Sequence, residues 1–562
     1  MKCFIPLLLA GTLAACKSDN LITRDVQPVE ADSAMVVSAH PLATKVGIDI
    51  LKKGGNAVDA AVAVQFVLAV VHPAAGNLGG GGFMLYREAG GTVYSLDYRE
   101  KAPERAETTM FLDDSLAVIP GLSESSHLAS GVPGSVAGMW ESHQRFGSLP
   151  WKDLVEPAIT LAINGFELTA HEAEGLRSIQ EELRTNNTVV PEHLIRDWQE
   201  GDRLVLSDLG HALERIRDHG PAGFYSGKTG DLIVAEMRRG GGLITNNDLL
   251  NYKAVWRKPI RDNYRHYTVI SMPPPSSGGV ALLQLLKSVE PYPIREWGHN
   301  TAKTIHLYTE AERRVYADRA AFLGDPDFFD VPLRELLDTR YVRARMSSFD
   351  KNRATSSADV KEGTLLHYES EQTTHLSVID AKGNAVAVTT TLNDSYGSRI
   401  VVAGAGFFLN NEMDDFSVKP GHPNMYGAIG GEANKILSGK RMLSSMTPTI
   451  LEKDGELYMV VGTPGGTTII TSVFQTILNV VEFDMNMQEA VSIGRVHSQW
   501  LPDEIQAERM ALSDEDIVSL EEMGHRIVFR DPYGRVDAIR IREDGKLEGG
   551  ADPRGDDTAS GY

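Results

Sequence analysis

The chain changes character at the Gln372–Thr373 step, where a polar segment runs into an alternating pattern. Residues 367–372 are polar, and from Thr373 to Asp380 apolar and polar side chains alternate. This period of two predicts a β-strand whose first residue is a threonine. An internal threonine hydroxyl is a poor nucleophile, whereas one whose preceding peptide bond is cut carries a free α-amine that can act as its base. Cleavage would therefore make the protein a two-subunit hydrolase or transferase. Without cleavage, the segment is an ordinary strand start.

Chain length and charge restrict the class of protein. With 562 residues the chain is too long for one ordinary core, so several domains or one elaborate layered domain are expected. The net charge of −21 argues against a nucleic-acid partner, because phosphate binding needs clustered Lys and Arg. The most apolar internal stretch, 57–71, is shorter than the roughly 20 residues that span a bilayer. We predict that it forms a buried helix.

The two cysteines both lie within the first 16 residues. Lys2, an apolar run and the sequence Leu-Ala-Ala-Cys ending at Cys16 predict a bacterial lipoprotein signal over 1–15, with lipidation of Cys16 and a polar tether over 16–33. The protein is then expected to be exported to the periplasm or cell envelope and held at a membrane only by its lipid. A plain signal peptide with a chance cysteine is the alternative. No thiol follows Cys16, which excludes cysteine nucleophiles, disulfides and cysteine-based metal sites in the body of the chain.

Periodicity predicts helices first, mixed elements next and a β-rich end. The predicted helices are 42–53, 56–71, much of 149–244, 301–323 and 467–480. The predicted strands are 83–86, 92–98, 374–379, 385–392, 447–451 and 456–461. Turns at 382–384 and 454–455 would join the last two pairs of strands into hairpins.

Several segments resemble known functional motifs but have the wrong residue spacing. Segment 223–229 is one residue short of a phosphate-binding loop, because three residues rather than four separate its glycines. Segment 134–138 lacks the glycine two residues before the serine that a nucleophile elbow requires. The 16 histidines do not cluster at ligand spacing. We therefore predict no metal and no other cofactor.

Other loops offer complementary chemistry. Segment 462–466, Gly-Thr-Pro-Gly-Gly, lies between a predicted strand and a predicted helix, where backbone amides can hold an oxyanion; a simple tight turn is the alternative. The loops 97–103, 410–416 and 441–446 together supply a guanidinium, carboxylates and hydroxyls. An arginine binds a carboxylate bidentately and acidic side chains bind an ammonium, so this set suits a zwitterionic amino-acid head group.

These segments, in this order, resemble γ-glutamyltransferase (γ-glutamyl transpeptidase), a member of the N-terminal nucleophile hydrolase superfamily. The resemblance covers nearly all of the chain from about residue 34 to 562. It is carried by the motifs at 56–61, 79–84, 272–279, 372–375, 410–417, 443–446 and 464–466. It implies an α/β (α+β layered) fold, a four-layer αββα sandwich formed by two autoprocessed subunits. The large subunit would be 34–372 and the small catalytic subunit 373–562, joined as a heterodimer.

The resemblance also implies roles for individual residues. Thr373 would attack the carbonyl of Gln372 to cleave the chain, and then the γ-carbonyl of a γ-glutamyl compound such as glutathione. Its α-amine, with a pKa of about 8, would be the general base. The remaining roles are orientation of the nucleophile by Thr391, oxyanion binding by Gly465 and Gly466, carboxylate binding by Arg99, Ser444 and Ser445, ammonium binding by Asn393, Glu412 and Asp415, and gating by Tyr426. Water or the amine of an amino acid or peptide would receive the γ-glutamyl group.

The chain departs from the family pattern at Met442, where a proline is expected, and at Arg399, where a smaller residue is common. A related acylase acting on glutaryl β-lactams, or a poly-γ-glutamate-processing enzyme, is the alternative on the same scaffold. A non-amino-acid acyl chain has no use for Asp415 opposite Arg99, which favours γ-glutamyl substrates. A non-catalytic lipoprotein scaffold would have lost the nucleophile or the oxyanion glycines, and the chain retains both.

Overall fold

The computed structural model describes residues 26–360, 373–419 and 431–562. The predicted signal peptide, Cys16, Gln372 and Tyr426 lie outside the described residues. Within the segment expected to be tether, Val29–Ala31 forms an edge strand that pairs with Leu547–Gly549. The folded body therefore begins several residues earlier than the sequence suggested.

Two large antiparallel sheets form the centre of the molecule. Their strands are β1 (Val29–Ala31), β2 (Met35–Ser38), β3 (Gly81–Arg87), β4 (Val93–Asp97), β7 (Val255–Arg257), β8 (Ile260–Tyr264), β9 (Tyr267–Ser271), β10 (Thr373–Ile379), β11 (Ala385–Thr391), β12 (Thr449–Lys453), β13 (Glu456–Gly462), β17 (Asp537–Ile541), β18 (Leu547–Ala551) and β19 (Thr558–Gly561). Short strands outside them are β5 (Phe166–Glu167), β6 (Arg203–Leu204), β14 (Val496–His497), β15 (Ile505–Glu508) and β16 (Ile527–Arg530). The first sheet has the order β1-β18-β17-β13-β12-β9-β8 and the second the order β19-β2-β10-β11-β3-β4-β7.

Helices cover the outer face of each sheet. In chain order they are α1 (Pro41–Lys52), α2 (Ala57–Val71), α3 (Ser135–Phe146), α4 (Trp151–Asn164), α5 (Ala170–Ser178), α6 (Gln180–Thr185), α7 (Ser207–His219), α8 (Ala222–Tyr225), α9 (Gly227–Gly240), α10 (Asn246–Asn251), α11 (Gly278–Val289), α12 (Ile294–Trp297), α13 (Ala302–Phe322), α14 (Leu333–Leu336), α15 (Thr339–Arg345), α16 (Thr468–Val481), α17 (Met487–Ser492) and α18 (Asp514–Glu522). Helices α1 and α2 pack on the second sheet, and α11, α16 and α17 pack on the first. The predicted αββα layering is confirmed.

Side-chain alternation along the strands separates the two cores. Val378 and Val388 point toward the helical layer that contains α2, whereas Leu85 and Ala387 point toward the first sheet. Helix α2 is buried on every face, which explains why its sequence is apolar all round. No described helix is both long and apolar enough to cross a bilayer.

Each of the two sheets contains strands from both sides of residue 373. β10 lies between β2 and β11, and β11 pairs with β3 on its other edge. β19 pairs with β2 at the edge of the second sheet, and β12 pairs with β9 in the first. The two predicted subunits therefore share both sheets.

Each helix or strand that was predicted with its own bounds agrees with an observed one within about two residues at each end. Helix 301–323 is observed as Ala302–Phe322, and the hairpin at 454–455 turns through left-handed φ values of 54° and 84°. The region 149–244 is helical apart from one small antiparallel pair of strands, β5 and β6, which are separated in sequence by α5 and α6. The prediction lacked helices α3, α11, α17 and α18, strands β7–β9, the edge strands and the strands after residue 495. Many of the missed strands are short and only partly alternating.

Candidate active site

Thr373 begins strand β10 directly opposite Thr391 at the end of β11. Both side chains are buried, with exposed fractions of 6% and 3%. They line a cavity of about 290 Å³ together with Arg99, Asn393, Asp415, Ser444, Ser445, Met446, Gly466 and Ile469. Most of the predicted site residues, drawn from distant parts of the chain, thus meet at one cavity. We call it the head-group cavity.

The turn from β13 into α16 places two glycine amides beside Thr373. Gly465 and Gly466 have φ values of 134° and 55°, in the region that favours glycine. A Cβ on Gly465 would lie 2.4 Å from the hydroxyl of Thr468, so the position also has no room for a side chain. Within the described part of the chain, no hydrogen bond uses the N–H of either glycine. Free amides at the positive end of a 14-residue helix can bind a developing oxyanion.

Arg99 is buried at the other end of the head-group cavity and is held by acidic side chains. Its Nη1 lies 2.5 Å from a carboxylate oxygen of Glu412, and its Nη2 pairs with Asp415. It also donates from Nη2 to the carbonyl of Leu443 at 3.0 Å. The guanidinium and carboxylates predicted to bind opposite ends of a zwitterion therefore pair with each other in this structure. A zwitterionic ligand can replace that pair without leaving either charge uncompensated.

Burial raises the pKa of each carboxyl group around Arg99. Desolvation raises the pKa of Glu100 to about 7, although the Arg99 charge opposes this shift. Desolvation also raises the pKa of Glu412 and of Asp415, again against the effect of Arg99. Three carboxyl groups around one guanidinium cannot all ionise without mutual repulsion. The cluster therefore holds protons at a higher pH than isolated carboxyl groups would.

Hydrogen bonds connect Thr391 to Asn393 and Glu412, two of the residues predicted to bind an ammonium. The backbone N–H of Asn393 donates to the Thr391 hydroxyl at 2.8 Å, and Thr391 hydrogen-bonds Glu412. The side chain of Asn393 donates to the carbonyl of Asn411 at 3.0 Å. Asn393 is a non-glycine residue with a φ of 75°, a conformation that is held at a cost by its surroundings.

The motif 272–279 braces the serines at the cavity floor. The N–H of Ser277 donates to the carbonyl of Ser444 at 2.7 Å, and the N–H of Ser444 donates to the carbonyl of Pro275 at 3.0 Å. Arg319, on the buried helix α13, donates to Ser277 Oγ and to Ser445 Oγ, each at 2.8 Å. The sequence of the motif indicated no role for it, and Arg319 gave no local signal, because its burial on α13 is visible only in the structure.

One cluster of possible metal ligands is not visible in the spacing of histidines along the sequence. His306, Glu310 and His525 lie with ligand atoms within 4.8 Å of one another, although 219 positions separate the two histidines. His306 Nδ1 and His525 Nε2 hydrogen-bond at 2.7 Å, and the Glu310 carboxylate is bound by Arg314 and Thr355. These bonds already occupy the three groups, so we interpret the cluster as a structural network.

Comparison with known proteins agrees with this geometry. The family model for gamma-glutamyltranspeptidase matches residues 43–562. The glutathione hydrolase proenzyme of Escherichia coli (strain K12) is 46% identical over 539 residues, which cover 95% of this chain and 93% of the relative. The acylase ACY 1 proenzyme of Pseudomonas sp. (strain SE83) is 35% identical over 547 residues, covering 95% of both chains.

A solved structure shares the fold over almost its whole length. The cephalosporin acylase from Bacillus halodurans has a TM-score of 0.86 and 25% sequence identity, over 97% of this chain and 98% of that chain. The family match spans both predicted subunits and includes Arg99 and every other residue that lines the head-group cavity. Together, the match and the cavity show that this chain belongs to the gamma-glutamyltranspeptidase family of the N-terminal nucleophile hydrolase superfamily.

Proposed function

We propose that the protein is an autoprocessed γ-glutamyltransferase and glutathione hydrolase that uses Thr373 as its nucleophile. The observation that carries the proposal is the head-group cavity, which brings Thr373 together with Arg99 and Asp415. The names of the relatives support a proenzyme that acts on glutathione. The acylase relatives share the scaffold, so the discrimination rests on the charged side chains of the cavity.

Self-cleavage would begin at the hydroxyl of Thr373. Its Oγ bonds to the carbonyl carbon of Gln372 as that carbon's bond to the Thr373 nitrogen breaks, and the hydroxyl proton passes to the nitrogen. Water then hydrolyses the ester, which leaves a carboxylic acid at Gln372 and restores the hydroxyl. The product is a small subunit, 373–562, with a free α-amine beside its own nucleophile.

In each turnover the α-amine of Thr373 takes the hydroxyl proton as Oγ attacks the γ-carbonyl carbon. The carbonyl oxygen becomes an oxyanion between the amides of Gly465 and Gly466. When the tetrahedral intermediate collapses, the bond to the leaving nitrogen breaks and that nitrogen takes the proton. Water or an acceptor amine then attacks the γ-glutamyl ester and gives a proton to the α-amine, which returns it to Oγ.

The zwitterionic head group of the substrate would replace the ion pairs that Arg99 makes with Glu412 and Asp415. Arg99, Ser444 and Ser445 supply donors for the α-carboxylate, while Asp415 and Glu412 face the ammonium. A glutaryl chain lacks that ammonium and would leave Asp415 without a new partner. The charge pattern of the cavity therefore favours γ-glutamyl over glutaryl substrates.

Purified protein should separate into two fragments on a denaturing gel, with Thr373 as the N-terminal residue of the smaller one. It should release p-nitroaniline from γ-glutamyl-p-nitroanilide faster than from glutaryl-p-nitroanilide. Thr373→Ala should give one inactive, uncut chain, whereas Thr374→Ala, at the neighbouring buried threonine, should still be cut. An uncut wild-type chain with full activity would disprove the nucleophile, and faster glutaryl cleavage would favour the acylase.

We also propose that Cys16 carries a lipid and that the enzyme is held in the bacterial cell envelope. The proposal is supported by the sequence up to Cys16 alone, with its basic start, apolar run and Leu-Ala-Ala-Cys ending. Mass spectrometry of the mature N-terminus should find a diacylglyceryl group on Cys16. Cys16→Ser should release the protein from membranes, and an unmodified N-terminus would contradict the anchor.

A further inference from the structure

A second, larger cavity meets the head-group cavity at the nucleophile. It has a volume of about 930 Å³, and Thr373 and Gly465 form part of its wall. Among the described residues that line the two cavities, only Thr373 belongs to both. The nucleophile therefore stands at the junction of a small charged cavity and a larger one.

This arrangement divides any γ-glutamyl substrate into two parts. The γ-carbonyl must lie at Thr373, and the charged head group fits the smaller cavity. The leaving group on the other side of the scissile bond must then extend into the larger cavity. An acceptor amine attacks along the path by which the leaving amine departs, so it would occupy the same space.

Most charged side chains in the larger cavity already have strong partners. Arg554 is bound by Glu508 and Asp552. Burial lowers the pKa of His72 well below its usual value, so that imidazole is neutral at physiological pH. The carboxylate of Asp556 accepts hydrogen bonds from Thr169 and His171.

Arg535 is a permanently charged side chain of this wall that has donors to spare. Its Nε donates to Asp557 at 2.6 Å, Nη2 donates to the carbonyl of Ala39 at 2.9 Å, and Nη1 lies 3.4 Å from His72 Nε2. A guanidinium has five N–H groups, so contacts within the described part of the chain leave two of them unused. The side chain is 22% exposed.

The backbone fixes Arg535 beside the oxyanion turn. Its N–H donates to the hydroxyl of Thr463 at 2.9 Å. The preceding residue, Gly534, has its Cα 3.7 Å from where a Cβ of Gly465 would lie. Gly555 packs against the guanidinium so closely that a Cβ there would lie 2.1 Å from Arg535 Nε. The side chain is therefore held at one place in the wall.

We propose that the larger cavity is the subsite for the leaving group and acceptor, and that Arg535 binds the C-terminal carboxylate of a short peptide there. The inference rests on the proposed γ-glutamyl transfer and adds a specificity-determining residue to it. A carboxylate can take the unused N–H groups of Arg535 while Asp557 keeps the guanidinium oriented. The glycines and prolines along the wall leave the cavity open enough for a short peptide.

Two donors with the same γ-glutamyl head test this assignment. Glutathione has a leaving group that ends in a carboxylate, and γ-glutamyl-p-nitroanilide has one without. Arg535→Gln should lower kcat/KM for glutathione by about 10- to 100-fold, mainly through KM, the effect expected for one charge-assisted hydrogen bond. It should change kcat/KM for the anilide less than about twofold. Equal losses for both donors, or no loss for either, would overturn the proposal.

Two further variants test whether the effect of Arg535→Gln comes from this position. Gly555→Ala displaces the guanidinium without removing its charge and should reproduce the selective loss. Arg526→Gln, at an arginine that is 71% exposed, removes the same charge elsewhere and should leave both donors unaffected. Subunit cleavage on a gel and the unfolding temperature would establish that each variant is processed and folded.

Direct binding separates this inference from the proposed function. Calorimetry without any donor should show that the wild type binds glycylglycine more tightly than glycylglycinamide, and that Arg535→Gln removes this preference. Equal binding of the two dipeptides by the wild type would overturn the subsite even in an active enzyme. A wild type that cleaves neither donor but keeps the preference would overturn the proposed function and leave the peptide site standing.

Discussion

Arg319 donates a hydrogen bond from Nη2 to the Oγ of Ser445 at 2.8 Å. An arginine has no acceptor, so the serine oxygen must accept and its own hydrogen is directed elsewhere. Ser445 lines the head-group cavity, where that hydrogen can be donated to a substrate carboxylate. Under the proposed function, Arg319 would therefore be a positioning residue that sets the direction of the Ser445 hydroxyl.

Replacement of Arg319 should weaken donor binding more than it slows chemistry. Arg319→Gln should raise KM for γ-glutamyl-p-nitroanilide by about tenfold with a smaller change in kcat, because Ser445 loses its fixed orientation. Steady-state kinetics measures the split between KM and kcat. Arg340→Gln, at an arginine that is 90% exposed, is the control. A drop in kcat at unchanged KM would contradict the positioning role.

Removal of the Asp415 charge should change which substrate is preferred. Asp415→Asn keeps the shape of the side chain but removes the partner for a substrate ammonium and for Arg99. We expect KM for the γ-glutamyl donor to rise by roughly 10- to 100-fold, the scale of a buried charge-assisted bond. The glutaryl donor should be affected less, so the ratio of the two kcat/KM values is the measurement. An unchanged ratio would show that Asp415 does not face the ammonium.

A side chain at Gly465 should impair the oxyanion turn. Gly465→Ala would place a Cβ 2.4 Å from Thr468 Oγ1 and force a residue with a side chain to a φ of 134°. We expect kcat to fall by about 10²- to 10³-fold, as when an oxyanion donor is lost, and self-cleavage to slow. Gly455→Ala in the β12–β13 turn is the matched control, because its φ is 84° and nothing lies within 4 Å. Similar kcat values for the two variants would argue against an oxyanion role.

Buried neutral histidines should make the fold sensitive to acid. Burial lowers the pKa of His375 to about 3, and His497 and His525 likewise to about 3. Between a pH of about 6.5 and 3, the unfolded chain binds protons that the native state does not bind, so stability falls as the pH falls. Above a pH of about 6.5 these histidines are neutral in both the folded and the unfolded state, so they no longer make stability depend on pH.

A variant at His375 tests this prediction by the number of protons taken up on unfolding. His375→Asn should reduce the proton uptake on unfolding at pH 5 by about one proton, measured by calorimetry in buffers of different ionisation enthalpy. An unchanged proton uptake in His375→Asn would show that burial of His375 does not cause the acid sensitivity.

The strong periodic elements and the cavity residues could be predicted from the sequence. Thr373, Arg99, Asp415 and Gly466 belong to loops and strand ends whose chemistry the family resemblance identifies, and the fold brings them together. The internal pairing of Arg99 with Glu412 could not be predicted, because it depends on which side chains meet once distant loops are folded together.

Residues that act through tertiary contacts had no local signal. Arg319 and Arg535 look in the sequence like ordinary helix and loop arginines, and only the packing shows that one faces Ser445 and the other the larger cavity. The edge strand Val29–Ala31 was missed for a similar reason, since its pairing partner lies more than 500 positions away. Long-range pairing, rather than local propensity, decides such cases.

The shared sheets determine how the processed enzyme would recover from denaturation. A cut between Gln372 and Thr373 leaves β10 between β2 and β11, so the two pieces stay held by ladders of backbone hydrogen bonds in both sheets. Once unfolded, however, the pieces would diffuse apart, and reassembly would be a second-order reaction of two chains that each lack neighbouring strands. The uncut precursor would refold in a first-order reaction. Self-cleavage would therefore commit the molecule to a structure whose recovery depends on protein concentration.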